Sequence, residues 1–254
     1  MTPPLQTATR KRFTSAEVRQ RVLDAARADI EANGLSVSFD HLPLEEYIRR
    51  ADVPRTSTYR IWNSRERFVA DLLHDMFAGE SNFAVEEFAG TGDIEEHLRL
   101  VAGTLTTPER RREAFRTCMR IAGDAQSRIV VDSRNWRSFM LATACVSSVQ
   151  PGAPREAMEQ VIAEVMLRVT TMMSQWYVAL IERMGCRLRD GVTPAAFASV
   201  VRGVLGSLAQ QQQQNPAVAG TALVETGPSG EQRAWSLTAI VFAGAVEPLV
   251  DFGE

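Results

Sequence analysis

The stretch that decides the fold covers residues 44–68 and reads LEEYIRRADVPRTSTYRIWNSRERF. Its first part carries apolar residues three or four positions apart, which is the spacing of one helix face. Pro54 cannot continue that helix, because proline lacks a backbone donor, but it suits the first turn of a new helix. The stretch therefore predicts a helix over about 43–52, a tight turn, and a second helix over Arg55–Ile61.

A further helix is predicted on each side of this stretch. Upstream, Thr14 and Glu17 have the spacing of a capping box, and apolar residues recur at helical intervals as far as Gly34. This pattern predicts a helix over Ser15–Asn33. Downstream, Ser64 is a suitable cap for another helix. The buried stripe of that helix is predicted to consist of Phe68, Leu72, Leu73, Met76 and Phe77.

The rest of the chain shows helical periodicity interrupted by clusters of Pro, Gly and Ser. Helices are predicted at roughly 94–105, 108–125, 134–149, 154–185, 194–214 and 231–250. No strand-like alternation persists, and residues 215–230, rich in Gly, Pro and Thr, are expected to be mobile. The predicted fold is all-α. It has a flexible basic arm over 1–14, a three-helix helix-turn-helix head over 15–78, and a larger helical body over 79–254.

The composition is that of an ordinary soluble protein, with 45% hydrophobic and 23% charged residues. No stretch approaches the ~18 uninterrupted apolar residues of a membrane span, and the polar N-terminal residues lack the apolar core of a secretory signal. A cytoplasmic location without membrane association is therefore expected. The odd number and wide spacing of Cys118, Cys145 and Cys186 predict buried free thiols, because they fit neither a disulfide framework nor a paired-cysteine zinc site.

Charge is unevenly distributed along the chain. The net charge is −3 for all 254 residues, but +1 for residues 1–75 and −4 for residues 76–254. Residues 10–12 are all basic, and residues 49–67 contain six arginines. Such local clustering of cations is typical of a surface that binds nucleic acid.

The head also resembles the N-terminal signature of the tetracycline-repressor (TetR) family over about residues 15–75. Residues 51–54 (ADVP) resemble the family's Ala-Gly-Val-Ser, and residues 57–62 (STYRIW) resemble its Thr-Leu-Tyr-x-His-Phe. Residues 63–68 (NSRERF) resemble the x-Ser-Lys-Glu-x-Leu that opens its fourth helix. Asp52 and Thr58 depart from the family's Gly and Leu. Aspartate tolerates a left-handed backbone, so the turn is expected to survive.

The resemblance implies a recognition helix that lies in the major groove of double-stranded DNA. It assigns DNA contacts to Arg55, Thr56, Ser57, Tyr59, Arg60 and Arg65. Arg55 is the strongest candidate, because its guanidinium can bind the O6 and N7 atoms of guanine, although a solvated surface charge is the alternative. Lys11 and Arg12 either follow the DNA or form a solvated tail. Tyr59 and Trp62 have an alternative role as core aromatics, which is the interpretation preferred for Trp62.

One helix-turn-helix contacts too few bases for selective binding, so a homodimer on a palindromic operator is expected. In the family, the last two long helices form the interface. The residues predicted for it are Phe197, Val201, Val204, Leu208, Trp235, Phe242 and Val246. The alternative is that these apolar stripes face the core of the same chain.

A ligand pocket is predicted between the head and this interface. Its residues are Phe115, Met119, Trp136, Met140, Met173, Trp176 and Tyr177, whose aromatic rings and adaptable methionines suit a small hydrophobic or amphipathic ligand. In the family such a ligand weakens the hold on DNA. Ordinary core packing is the alternative for each of these residues.

The sequence contains no motif for catalysis. The chain's 3 histidines are too dispersed for a metal site, and no phosphate-binding loop or Gly-x-Ser-x-Gly is present. No cofactor is expected. The leading hypothesis is a dimeric transcriptional repressor released from its operator by a small apolar ligand. The alternative is a helical adaptor controlled by a protein partner, with weakened or lost DNA binding.

Overall fold

The structure is a computed structural model. It describes residues 13–35, 39–77, 90–215, 217, 222–226 and 232–253. The chain is all-α over this part, as predicted, apart from four short strands. It divides into two compact units, the first bounded by Met1–Gly79 and Ser138–Ile162 and the second by Glu80–Arg137 and Ala163–Glu254.

The N-terminal part of the first unit is a group of helices packed around α1 (Ser15–Asn33). Three helices pack against α1: α2 (Leu44–Arg50), α3 (Arg55–Ile61) and α4 (Arg65–Phe77). The predictions for α1, α3 and α4 are confirmed, whereas α2 is shorter at each end than predicted. Val22 and Leu23 of α1 and Phe68 and Leu72 of α4 are fully buried in this core.

The start of α1 is fixed by the predicted capping box. The Thr14 backbone N–H donates to Oε2 of Glu17 over 2.7 Å, and the Glu17 N–H donates to Oγ1 of Thr14 over 3.2 Å. These reciprocal bonds satisfy donors that a helix N-terminus leaves without partners. At the other end, Gly34 adopts a positive φ of 80°, which stops the helix where the sequence predicts it.

The second unit is built around α6 (Pro108–Asp132), which packs against α5 (Thr91–Val101), α9 (Pro194–Gln214) and α10 (Leu237–Val246). Gly123 brings α6 close to α10. A Cβ atom there would lie 2.9 Å from Cα of Ala239 and 3.2 Å from Cδ1 of Phe242. Two long helices contribute to both units: α7 (Arg134–Val146) and α8 (Ala153–Arg183).

The strands of the second unit differ from the prediction. β2 (Ala222–Thr226) pairs antiparallel with β3 (Gln232–Ser236), so the predicted helix over 231–250 is wrong in its first part. The helix starts only at Leu237, where Oγ of Ser236 accepts the N–H of Ala239. Three successive residues of β3, 232–234, are exposed and only Trp235 is buried, so the strand shows no apolar–polar alternation in the sequence.

A second strand pair closes the C-terminal end of the chain. β1 (Arg187–Leu188) pairs antiparallel with β4 (Val250–Asp251). Phe252, immediately after β4, is buried and packs edge to face on Phe115 with ring centroids 5.6 Å apart. The last residues are therefore bound to the core of the second unit by both backbone pairing and aromatic packing.

Candidate nucleic-acid interface

The turn between α2 and α3 depends on one residue with a left-handed backbone. Asp52 has a φ of 51°, and its N–H donates to the carbonyl of Arg49 over 3.2 Å. Aspartate is one of the few residues other than glycine that visits this region readily. The expectation that the turn survives the loss of glycine is confirmed. Pro54 then precedes the first turn of α3, where its carbonyl accepts the N–H of Thr58 over 3.2 Å.

The inner side of α3 is held by Thr58 and Trp62. Thr58 is completely buried, and its hydroxyl donates to the carbonyl of Pro54 over 3.3 Å, which satisfies its polar atom. Trp62 is 2% exposed and packs edge to face on Phe68 with centroids 5.2 Å apart. Its Nε1–H donates to Oδ2 of Asp71 over 2.8 Å. The interpretation of Trp62 as a core residue is confirmed.

The outer side of α3 carries most of the predicted DNA contacts. Arg55, Thr56, Tyr59 and Arg60 are exposed, and Ser57 is half-buried. Tyr59 is 45% exposed, so its alternative role as a core aromatic is wrong. A short helix with a buried inner side therefore presents two guanidinium groups, a phenol and two hydroxyls on its other sides. Helices that bind in the major groove of DNA have this arrangement.

An ion pair and a tyrosine hold α2 against α1. The Tyr47 hydroxyl donates to Oδ2 of Asp29 on α1 over 2.8 Å, while Arg50 lies 3.3 Å from Oδ1 of the same carboxylate. Burial, together with this hydrogen bond, raises the pKa of Tyr47 far above its ordinary value. Since the ring itself is fully buried, Tyr47 fixes the position of α2 on α1.

Arg65 has a different position from the other predicted contacts. It is half-buried, and its Nη2 donates to the carbonyl of Leu42 over 2.8 Å. This contact joins the start of α4 to the segment before α2. At least one N–H donor of Arg65 is therefore hydrogen-bonded within the protein. The DNA contact assigned to Arg65 remains a prediction. Lys11 and Arg12 lie outside the described residues.

Sequence reasoning missed Glu45, an exposed residue in the first turn of α2. Its Oε2 lies 2.5 Å from Nη2 of Arg55, and its Oε1 accepts a hydrogen bond from the hydroxyl of Tyr59. The bond from Tyr59 and then that from Arg55 lower the pKa of Glu45. The same carboxylate raises the pKa of Tyr59. No signal within one helix could have revealed this cluster, because the turn brings together residues 10 and 14 positions apart.

The residues predicted to line a ligand pocket have different surroundings. Phe115, Met119, Met173 and Tyr177 are buried, Trp136 and Trp176 are half-buried, and Met140 is 46% exposed. Tyr177 packs edge to face on both Trp176 and Phe197, at 4.8 Å and 5.6 Å between centroids. Burial raises its pKa far above the ordinary value. These aromatic contacts are those of close core packing, which is the alternative given for such residues.

A surface cleft of about 560 Å³ occurs elsewhere in the second unit. Its lining consists of Gly92, Glu95, Glu96, Leu98, Arg99, Ala102, Leu105 and Arg183. Arg183 donates two hydrogen bonds to Glu95, of 2.5 and 2.7 Å. Hydrogen bonding from Arg183 is the main reason that the pKa of Glu95 is lowered. The cleft contains none of the residues predicted for the pocket, and its lining combines ion pairs with apolar side chains.

Most of the predicted dimer residues face the core of their own unit. Phe197, Val201, Trp235, Phe242 and Val246 are at most 8% exposed, whereas Val204 and Leu208 are half-buried. This burial favours the alternative that the stripes face the core of the same chain, and a contact of these five residues with a second copy remains a prediction. Periodicity identified an apolar stripe correctly, but it could not tell which surface covers the stripe.

The described residues show no sign of a metal centre or a membrane span. No group of three or more His, Cys, Asp or Glu side chains is placed to hold a metal ion in the part of the chain that the structure describes. Within the same residues, no helix is both long and apolar enough to cross a bilayer. Cys118, Cys145 and Cys186 are buried free thiols, as expected, and burial raises the pKa of Cys118 to about 12.

Comparison with known proteins gives a distant similarity to a solved structure. No family model matches the chain, and no curated protein matches its sequence. Among solved structures, it is similar to a protein from Mesorhizobium loti MAFF303099 assigned to the TetR family of transcriptional regulators. The two are 12% identical, with 93% of this chain and 95% of that chain covered and a TM-score of 0.45. The geometry of α2 and α3 is therefore the basis for the proposed function.

Proposed function

We propose that this protein is a DNA-binding transcriptional regulator of the TetR type, whose α3 reads the major groove of an operator. The observation that carries the proposal is the division of α3 into two sides. Thr58 and the adjoining Trp62 are buried, while Arg55, Thr56, Tyr59 and Arg60 face outward. A helix fixed by its inner side and polar on its outer side is suited to base contacts, because the major groove admits one helix.

Replacement of Arg55 by alanine is expected to weaken operator binding roughly 5- to 150-fold, the range for one bidentate arginine–guanine contact. Fluorescence anisotropy with a duplex selected from a randomised palindromic library measures the affinity. Arg187→Ala is the matched control, because Arg187 is an equally exposed, ion-paired arginine of the second unit that lies outside the cleft. Equal affinities for the two variants would contradict the assignment of Arg55.

Salt dependence separates this proposal from the adaptor alternative. Phosphate contacts release counterions, so the logarithm of the DNA affinity should fall linearly with the logarithm of salt concentration. Wild-type protein that binds no duplex even at low salt would refute DNA binding and favour a protein partner.

We further propose that the protein acts as a homodimer through the outer sides of α9 and α10. Apart from the buried Thr238, the ten residues of α10, LTAIVFAGAV, are apolar on all sides of the helix, although Val241 is 42% exposed. A helix of this kind is normally covered on every side. Val200 of α9 is 39% exposed, and Gly203 and Gly244 leave room for a close approach, because a Cβ at either would meet nothing within 4 Å.

Replacement of Val241 by arginine is expected to shift the protein from dimer to monomer, because a charge would be buried in the interface. Size-exclusion chromatography with light scattering measures the mass, and circular dichroism checks the fold. Leu100→Arg is the control, since Leu100 is 65% exposed on α5. A wild-type protein that is monomeric at micromolar concentration would overturn this part of the proposal.

Repression, and release by a small hydrophobic or amphipathic ligand, complete the proposal. The cleft beside Glu95 and Arg183 supports an amphipathic ligand, because its volume lies in the range of small-molecule sites and its lining is mixed. Ligand and DNA binding must then be reciprocally coupled. A screen of such compounds in which none weakens DNA binding would count against release by a ligand.

A further inference from the structure

Glu45 contacts two of the predicted DNA-binding residues, Arg55 and Tyr59, in the absence of DNA. One carboxylate oxygen of Glu45 pairs with Nη2 of Arg55 at 2.5 Å, and the other accepts the hydroxyl of Tyr59. All three side chains are exposed, so the cluster lies at the protein surface. DNA that approaches the outer side of α3 therefore meets a carboxylate as well as a guanidinium.

This arrangement affects phosphates and base edges differently. A phosphate is negatively charged, so Glu45 repels it and competes with it for Arg55. The guanine edge is neutral and presents two acceptors, O6 and N7, to a guanidinium. The Glu45–Arg55 contact is made at Nη2, and a guanidinium carries five N–H donors, so Arg55 keeps others for a base edge. Arg55 can thus meet a base edge while Glu45 orients it, whereas binding to the DNA backbone alone is penalised.

We propose that Glu45 is a specificity-determining residue that orients Arg55 and Tyr59 toward base edges and lowers their affinity for phosphate. The proposal rests on the proposed DNA-binding function. It assigns the carboxylate a role in discrimination between operator and other DNA. Phosphate contacts position a protein on DNA, and base contacts specify the sequence, so a residue that suppresses the former relative to the latter raises specificity.

The neighbouring residue Glu46 provides a matched control. It lies in the same turn of α2, and its carboxylate pairs with Arg49 of the same helix at 2.5 and 2.9 Å. Glu45→Gln and Glu46→Gln therefore remove the same charge from adjacent positions. Only the first change removes the charge that holds two residues of α3. Both residues are at the surface, so both variants are expected to keep the fold, which circular dichroism checks.

The test compares two duplexes by fluorescence anisotropy: the best sequence selected by the wild-type protein and a scrambled sequence of equal length. Glu45→Gln is expected to bind the scrambled duplex about tenfold more tightly, with a ratio of selected to scrambled affinity about tenfold lower than in wild type. Glu46→Gln is expected to change both affinities by a similar factor and to leave the ratio unaltered. Equal ratios for the two variants would overturn the proposal, as would a higher ratio for Glu45→Gln.

A second readout does not require DNA. Of the three tyrosines, Tyr47 and Tyr177 are buried and have pKa values raised well above the ordinary range, so Tyr59 ionises first as the pH rises. Its hydrogen bond to Glu45 raises the pKa of Tyr59. In Glu45→Gln the phenolate absorbance of Tyr59 should therefore develop at lower pH than in wild type, and in Glu46→Gln at the same pH. An unchanged titration in Glu45→Gln would show that the cluster does not form in solution.

The outcomes separate DNA binding itself from the role of Glu45. If wild-type protein selects no sequence and binds no duplex at low salt, DNA binding and the role of Glu45 are both refuted. If wild type is selective and Arg55→Ala loses affinity, but the two glutamine variants have equal ratios, only the role of Glu45 is refuted.

Discussion

Replacement of Trp62 by alanine is expected to lower the free energy of unfolding of the first unit by about 3–5 kcal/mol, the range for a large aromatic residue in a core. Trp62 is buried, packs on Phe68, and donates its indole N–H to Asp71 over 2.8 Å. The variant loses the ring contacts and leaves a cavity beneath the end of α3. Urea denaturation followed by circular dichroism measures the loss, and amide hydrogen exchange in α1 and α4 locates it.

Trp62→Phe separates packing from hydrogen bonding. The phenyl ring keeps part of the contact with Phe68 but removes one donor from the Asp71 carboxylate, which still accepts a bond from Nε of Arg19 over 2.9 Å. Its expected loss is smaller, about 1–3 kcal/mol. Because Trp62 anchors α3, the alanine variant should also lose operator affinity at temperatures where the second unit remains folded. A loss below about 1 kcal/mol for alanine would contradict the packing described for Trp62.

Replacement of Phe252 by alanine is expected to destabilise the second unit by about 3–5 kcal/mol. The ring is 4% exposed and packs on Phe115, and the Arg112 guanidinium lies 5.1 Å from its centroid. The Phe252 carbonyl accepts a hydrogen bond from Nη1 of Arg111 over 3.0 Å. Loss of the ring should loosen the β1–β4 pairing as well. Thermal denaturation measures the effect, and hydrogen exchange in β1 shows whether the strand pair opens.

Asp251→Asn is the control for this prediction. Asp251 is adjacent to Phe252 and pairs with Arg187 over 2.8 Å, but the pair is exposed to solvent. Exposed ion pairs contribute little to stability, so this variant should unfold at nearly the wild-type temperature. Equal destabilisation by the two variants would mean that the Asp251–Arg187 ion pair contributes as much as the buried ring to fixing the C-terminal end.

The two strand pairs show where local patterns stop being informative. α1 and α4 have side-chain caps and α3 follows a proline, so local sequence specifies where these helices begin, whereas the uncapped α2 is shorter than predicted. β3 has no such pattern, since its stability depends on β2 across an intervening segment. The sequence alone therefore extends the last long helix over residues 232–236, although in the structure this helix begins only at Leu237.

The same distinction applies to the predicted sites. The exposed face of α3 could be predicted, because the motif fixes which of its residues point inward. Periodicity also located the apolar stripes of α9 and α10, but buried residues such as Val201 and Phe242 proved to be covered by their own unit. A stripe is equally apolar whether its own chain or a second copy covers it. Only the folded structure shows which of its residues the same chain covers.

The sequence by itself determined the all-α class, the left-handed turn at Asp52, and the outward face of α3, because each depends on residues within one or two turns of chain. The tertiary structure alone decided that Glu45 lies against Arg55 and Tyr59, and that Phe252 closes the second unit. These contacts join residues on different elements, 10 to 137 positions apart. No local propensity encodes such contacts, because they form only when packing brings separate elements together.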